Sequence, residues 1–227
     1  RQEYLLTGGE LGTAIRSQLY FQPLNIVRFS RYIHKFVNAN MLLPWLSRNF
    51  AVSTVYIVRH PCAVVSSQLR HAYGAWEDFS RERCYHSELF MEYPHLGDLY
   101  AAISTREQCL AFDWAIQNFV PFKHGFEGLT IFYEDLVEHP MQELDRIFTY
   151  LGIDMPKRIG MKINRPSQTA YTSSNNLVDG KANLSGWQAK LNDRQVDEIL
   201  QVVSNAGVNL YGREEKPLRR AITIEEC

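Results

Sequence analysis

The chain has 227 residues, of which 45% are hydrophobic, 12% aromatic and 22% charged. These values are typical of a folded globular protein and exclude disordered, collagen-like and coiled-coil chains. Lys and Arg number 24 against 25 Asp and Glu, a formal net charge of -1, so no overall field recruits nucleic acid or an anionic membrane. No apolar run reaches the roughly 18 residues that a membrane helix needs, so we expect no membrane span. From the length of the chain we expect a single domain over residues 1–227.

The four cysteines are Cys62, Cys84, Cys109 and Cys227. They show no CxxC or metal-ligand spacing and are too sparse for a disulfide scaffold, so we expect buried or free thiols and no bound metal. The chain starts at Arg1 rather than at a methionine, and its opening residues do not resemble a signal peptide. We therefore expect the first residues to lie upstream of Arg1, and we expect a cytoplasmic protein unless those residues carry a signal or an anchor.

Two strand–turn–helix units predict a parallel sheet. Residues 54–58 form a β-branched and aromatic run, and Pro61 directly after it suits the first position of a helix. A second such run covers residues 129–133 and is followed by a helix that ends at Gly152. A long buried helix over residues 106–120 is suited to the crossover between parallel strands. With a third strand predicted at residues 25–29, the pattern indicates an α/β protein.

The remaining segments are less regular. Residues 73–100 are rich in aromatic and charged side chains without clean periodicity, and we interpret them as an irregular insertion over one face. A long polar loop, for which disorder is the alternative, follows between Asn164 and Lys181. The last helix begins at Asn192 or Asp193 and ends at Gly207.

An anion site is predicted where the first strand ends, because ligands of open α/β sheets bind outside the carboxyl ends of the strands. Arg59 leaves the strand there, and Ser66 and Ser67 follow on the next helix. A guanidinium beside a helix start suits a phosphate. The alternatives are a salt bridge from Arg59 to a carboxylate at the edge of the core and back-bonding of the serines to their own helix.

The end of the second strand carries Tyr133, Glu134 and Asp135. From the residues alone, we interpret Tyr133 as a packed ring. The two carboxylates are interpreted as a first-turn pair that favours the helix dipole. His60, beside Arg59, is interpreted as a turn residue rather than as a base.

The segment from Val55 to Ser67, a strand followed by Arg-x-Pro and a serine eight positions after the arginine, resembles the 3′-phosphate-binding motif of the PAPS-dependent sulfotransferases. Tyr133-Glu134-Asp135-Leu136 with the later Tyr150-Leu151-Gly152 is similar to that family's second landmark, and Trp187 before an amphipathic helix resembles its usual ending. The agreement in order and spacing covers roughly residues 25–211.

The resemblance implies a three-layer α/β fold of the P-loop NTPase-like kind, with a central parallel sheet flanked by helices. It implies that PAPS (3′-phosphoadenosine 5′-phosphosulfate) gives its sulfuryl group to a hydroxyl or amine acceptor, without a metal. By that resemblance Arg59 and Ser67 bind the 3′-phosphate and Tyr133 approaches the adenine. Lys181 adds a basic contact to the same phosphate.

The family's lysine-bearing P-loop is missing from the sequence. Thr7 to Thr13 contains glycines but no lysine, and we interpret it as a turn, so the P-loop is expected upstream of Arg1 unless the protein is a degenerate, non-catalytic nucleotide-binding remnant. A P-loop kinase-like enzyme is the other alternative, although no Walker A motif is visible. The candidate base that takes the acceptor's proton is His34; Arg28, Ser30 and Arg31 compete for the same alignment, and a surface histidine is the alternative.

The acceptor is expected to meet the insertion at residues 73–100, where a phenol, a sugar, a lipid alcohol or a peptide tyrosine would each suit the aromatic content. A satellite core under a long loop is the alternative for most of these seven rings. They are Tyr73, Trp76, Phe79, Tyr85, Phe90, Tyr93 and Tyr100.

Overall fold

The structure is a computed structural model that describes residues 33–37, 39–70, 81–159 and 184–218. By its internal contacts the chain divides into two units, residues 1–39 and residues 40–227. The strands and helices described below belong to the second unit, and the described residues of the first are 33–37 and 39.

Two short parallel strands form the sheet that the structure describes: β1 (Val55–Val58) and β2 (Leu129–Phe132). Val55 pairs with Leu129 and Val58 with Phe132, so the two strands end level with each other. This confirms the predicted parallel pairing. The second strand was predicted to include Tyr133, which instead begins the following helix. The predicted strand at residues 25–29 lies outside the described residues.

Helices make up most of the described fold. In chain order they are α1 (Leu43–Asn49), α2 (Pro61–Arg70), α3 (Ser87–Glu92), α4 (Pro94–Ala102), α5 (Arg106–His124), α6 (Tyr133–Glu138), α7 (Pro140–Leu151) and α8 (Asp193–Asn205). The described residues are therefore mixed α/β, mostly helical with a two-stranded sheet, which is a coarser architecture than the three-layer fold that we expected. None of their helices is long and apolar enough to cross a membrane.

Helix α5 is the centre of the core. Thr105 and Gln108 form a reciprocal cap at its start, which explains why the helix begins where the sequence predicted. The helix continues four residues past the predicted end, through Pro121 to His124. Its residues Leu110, Phe112 and Ile116 are completely buried, so α5 is covered on more than one face.

The interpretation of residues 73–100 as irregular is wrong for their second half. Residues Ser87–Glu92 and Pro94–Ala102 are helical, and Pro94 at the start of α4 separates the two helices. Helices of six and nine residues are too short to show a clear periodicity in sequence. The aromatic side chains Tyr73, Trp76 and Phe79 lie outside the described residues.

Local signals define the other helix ends as predicted. Asn192 and Gln195 cap α8 reciprocally, and its residues Val196, Ile199 and Val203 are buried. Gly152 ends α7 in the left-handed conformation, with φ of 59°, which favours glycine. After α8 the chain continues to Tyr211, which forms an isolated antiparallel bridge with Pro217.

Candidate functional site

The predicted anion site lies where β1 and β2 end. Because Val58 pairs with Phe132, the residues that follow them, Arg59 and Tyr133, lie side by side. The guanidinium carbon of Arg59 is 4.5 Å from the centroid of the Tyr133 ring, a cation–π contact. The structure therefore brings together two of the residues that the sequence nominated. We call this region, from Arg59 and His60 to Tyr133 and Glu134, the strand-end corner.

The carboxylate of Glu134 holds the strand-end corner together. One oxygen accepts the backbone N–H of His60 at 2.9 Å, and the other accepts the hydroxyl of Tyr211 at 2.7 Å. The Glu134 side chain is buried, and burial raises the pKa of this carboxyl while the two hydrogen bonds oppose the rise. Glu134 was interpreted as a first-turn residue for the helix dipole. It does lie in the first turn of α6, and it is also a buried acceptor that joins β1 to the C-terminal segment.

His60 is a buried structural residue of the corner. Its Nδ1 accepts the backbone N–H of Cys62 at 3.1 Å, so Nε2 carries the proton and donates to the carbonyl of Gly212 at 3.0 Å. The ring stacks on Trp187 with centroids 4.7 Å apart. Burial lowers the pKa of His60 to about 4. Both ring nitrogens are engaged and the ring stays neutral, in keeping with its interpretation as a turn residue.

Two buried donors at the strand-end corner have no acceptor among the described residues: Nε of Arg59 and Nε1 of Trp187. Buried polar groups nearly always find a hydrogen-bond partner, so such orphans indicate a ligand site. The backbone of Arg59 is fixed, because its carbonyl accepts Nε1 of Trp114 at 3.1 Å. Among the described residues, no carboxylate forms an ion pair with Arg59.

Lys190 adds positive charge that the sequence analysis missed. It lies in the turn that Trp187 begins, and its backbone N–H donates to the carbonyl of Trp187 at 2.9 Å. Desolvation, and then the charges of Arg70 and Arg59, lower the pKa of the Lys190 ammonium. Because Trp187 stacks on His60, the turn that contains Lys190 lies beside the strand-end corner. The sequence offered one indication of this position, which is that Lys190 follows Trp187 by three residues.

Ser67 and His34 are the other nominated residues that the structure describes. Ser67 is half-buried on α2, two turns from Pro61, and no described contact joins it to Arg59. His34 belongs to the first unit, is exposed, and has its ring 6.2 Å from that of Phe36. Lys181 lies outside the described residues. Within the described ranges no group of His, Cys, Asp and Glu side chains is arranged to hold a metal ion.

Comparisons of the chain with protein families, with curated proteins and with solved structures found no match.

Proposed function

We propose that this chain is a PAPS-dependent sulfotransferase that moves a sulfuryl group to a hydroxyl or amine acceptor and releases 3′,5′-ADP. The observation that carries the proposal is the side chain of Arg59. It lies at the carboxyl end of a parallel strand, against Tyr133, with a buried Nε that no described residue accepts. A phosphate oxygen beside Arg59 would satisfy this donor and neutralise the charge.

Charge at the strand-end corner supports a dianion rather than a monoanion. Lys190 and Arg70 add to the field of Arg59, and desolvation, followed by repulsion from these two arginines, lowers the pKa of Lys190. A terminal phosphate carries nearly two negative charges at neutral pH. The 3′-phosphate of PAPS is such a group, and in this proposal Arg59 and Ser67 bind it. Lys181 contributes a further contact.

The chemistry is an in-line displacement at sulfur. The acceptor oxygen or nitrogen forms a bond to sulfur as the bond from sulfur to the bridging phosphate oxygen breaks, and 3′,5′-ADP leaves with that bond's electron pair. A general base takes the acceptor's proton, and His34 is the residue proposed for this step. Arg59, Ser67 and Tyr133 position the nucleotide and do not touch the breaking bond, so their contribution is orientation.

Nucleotide binding tests the strand-end corner directly. We expect 3′,5′-ADP to raise the Tm of the full chain far more than 5′-AMP does, because only the former carries the phosphate that Arg59 would bind. Arg59→Lys should weaken this response, since an ammonium cannot reproduce the forked contact of a guanidinium. Arg48→Lys is the matched control, because Arg48 binds the carbonyl of His124, where the chain approaches the opposite end of β2.

Equal shifts with the two nucleotides, or an unchanged response in Arg59→Lys, would contradict the 3′-phosphate site. Transfer of labelled sulfate from PAPS to a panel of phenols, sugars and amines tests the activity, and His34→Ala should lose transfer while it retains nucleotide binding. Selective binding of 3′,5′-ADP without transfer by the full-length protein would instead indicate a non-catalytic nucleotide-binding protein. Transfer of phosphate from ATP would indicate the kinase-like alternative.

A further inference from the structure

Two cysteines from different parts of the chain meet beneath the helical segment α3–α4. Cys84 ends the short 3-10 turn Arg81–Cys84, and Cys109 lies in the first turns of α5. Their Sγ atoms are 3.8 Å apart, although the residues are 25 positions apart in sequence. The Cys84 thiol also points at the carbonyl oxygen of Cys109, with Sγ 3.7 Å from it. Both side chains are buried.

We propose that Cys84 and Cys109 are a modification site at which an intramolecular disulfide forms. A disulfide requires an S–S distance of about 2.05 Å, so the two sulfurs must move closer by a little under 2 Å. Rotation about the Cα–Cβ bonds moves a thiol by that order of distance without rebuilding the backbone. The sequence analysis, which had only the spacing of the cysteines, predicted no such pair.

The oxidant is a small disulfide such as oxidised glutathione. One cysteine loses its proton and attacks a glutathione sulfur, which releases one glutathione thiolate and leaves a mixed disulfide on the protein. The second cysteine, as its thiolate, then attacks the protein sulfur of that bond and releases the second glutathione. The two cysteines lose two protons and two electrons, and the oxidised glutathione is reduced to two thiols.

Burial determines when this reaction can run. Cys84 is completely buried and Cys109 is 4% exposed, so the oxidant reaches them during folding or when the Arg81–Cys84 turn opens locally. Once formed, the bond closes the loop that contains α3 and α4 and fixes its start to α5. The disulfide involves no residue of the strand-end corner, so this proposal does not depend on the proposed nucleotide chemistry.

Cys62 provides an internal contrast. It is also completely buried, in the first turn of α2, and burial raises the pKa of its thiol to about 12. Burial alone does not set Cys62 apart, because Cys84 is completely buried as well, so the contrast is geometric. The described residues place no second sulfur within hydrogen-bond distance of it. Selectivity of the Cys84–Cys109 pair over Cys62 is therefore expected.

The test uses the full chain, incubated in graded ratios of oxidised to reduced glutathione and then alkylated. Digestion without reduction should yield one cross-linked peptide that joins Cys84 to Cys109, with a mass loss of two hydrogens. The oxidised chain should gain on the order of 5 to 10 °C in Tm from closure of this loop, and dithiothreitol should reverse the gain. Cys84→Ala should abolish the gain, whereas Cys62→Ala should keep it.

Several results would overturn the proposal. Cys84 and Cys109 could both stay alkylatable in the most oxidising mixture, or each could end as a separate glutathione adduct. A cross-link from Cys62 to either residue would show that proximity does not control the pairing. A Tm gain that persists in Cys84→Ala would assign the stabilisation to another oxidation. The peptide map of the unsubstituted chain decides the matter even where a variant does not fold.

Discussion

The strand-end corner and the helical segment α3–α4 are both rich in large side chains, but they are held in different ways. In the segment, Phe90 and Tyr100 contact Phe112 of α5 with centroids 6.1 and 5.9 Å away, and Tyr93 meets Phe119 edge-on. Ring packing is the common feature there. At the corner, the carboxylate of Glu134 collects donors from two distant parts of the chain.

The difference makes the strand-end corner the better candidate for a ligand site. The rings of the segment pack largely against α5. This packing favours the satellite-core alternative over the acceptor pocket for Phe90, Tyr93 and Tyr100. The strand-end corner keeps two buried donors without described acceptors, on Arg59 and Trp187, and the segment keeps one such atom, Nε2 of His95. Polar groups that folding leaves unsatisfied cost stability, and proteins retain them mainly where a ligand completes the bonding.

The largest expected effect is at Phe112 of α5, against which rings of the segment α3–α4 pack. Phe112 is completely buried, so Phe112→Ala should lower the free energy of unfolding by about 3 to 5 kcal/mol, through lost burial and the cavity left behind. Urea unfolding measures this loss. The preference for 3′,5′-ADP over 5′-AMP should persist at temperatures where the variant is folded. Loss of that preference in a folded variant would show that the two regions are coupled.

The second effect is a pH dependence that belongs to the corner. Between pH 6.5 and pH 4 the unfolded chain protonates His60 while the folded chain keeps it neutral, so stability should decrease as pH falls through this window. The shift corresponds to about 3 kcal/mol at the acid end. Glu134 acts in the opposite direction, because its raised pKa gives stability that is present in acid and lost as pH rises.

Urea unfolding of the unsubstituted chain and of His60→Asn across this window isolates the histidine, since Glu134 is common to both. The difference between the two curves should shrink towards acid. His139→Asn, at an exposed histidine, is the matched control. A parallel pair of curves for the unsubstituted chain and His60→Asn would mean that the imidazole is accessible to protons in the folded state.

The parts of this fold that were predicted from sequence depend on neighbours in the chain. Pro61 starts α2, Thr105 and Gln108 start α5, and Gly152 ends α7, each by an interaction within a few residues. The candidate site was located for the same reason, because Arg59 follows its strand directly. Its pairing with Tyr133 then required only that the two strands be parallel.

What sequence analysis missed depends on distant partners. The role of Glu134 is set by His60 and Tyr211, which lie 74 and 77 positions away, and no local pattern indicates that pairing. The charge of Lys190 matters because the stacking of Trp187 on His60 brings its turn to the corner. Cys84 and Cys109 likewise meet only after α5 packs against the turn before α3.

The third effect tests the C-terminal anchor of the corner. Tyr211→Phe keeps the ring contacts with His60 and Phe132 but removes the hydroxyl that Glu134 accepts. We expect a loss of about 1.5 to 3 kcal/mol, because a hydrogen bond to a buried charged group is broken. Tyr85→Phe, at a ring that is 58% exposed, should change the stability by less than about 0.5 kcal/mol. Chemical denaturation measures the loss in each variant. Equal losses in Tyr211→Phe and Tyr85→Phe would contradict the anchoring of Tyr211 by the Glu134 carboxylate.

The smallest effect is expected a few residues further on, at the surface. Lys216 pairs with Glu138 at 2.8 Å, but its side chain is 57% exposed, so water competes for both charges. Lys216→Met keeps the length of the side chain and should cost less than about 1 kcal/mol. Added salt should erase even that difference from the unsubstituted chain, because it screens an exposed pair. If Lys216→Met instead matched the loss in Tyr211→Phe, the C-terminal segment would be anchored from the surface, and the buried hydroxyl would not be what ties it to the strand-end corner.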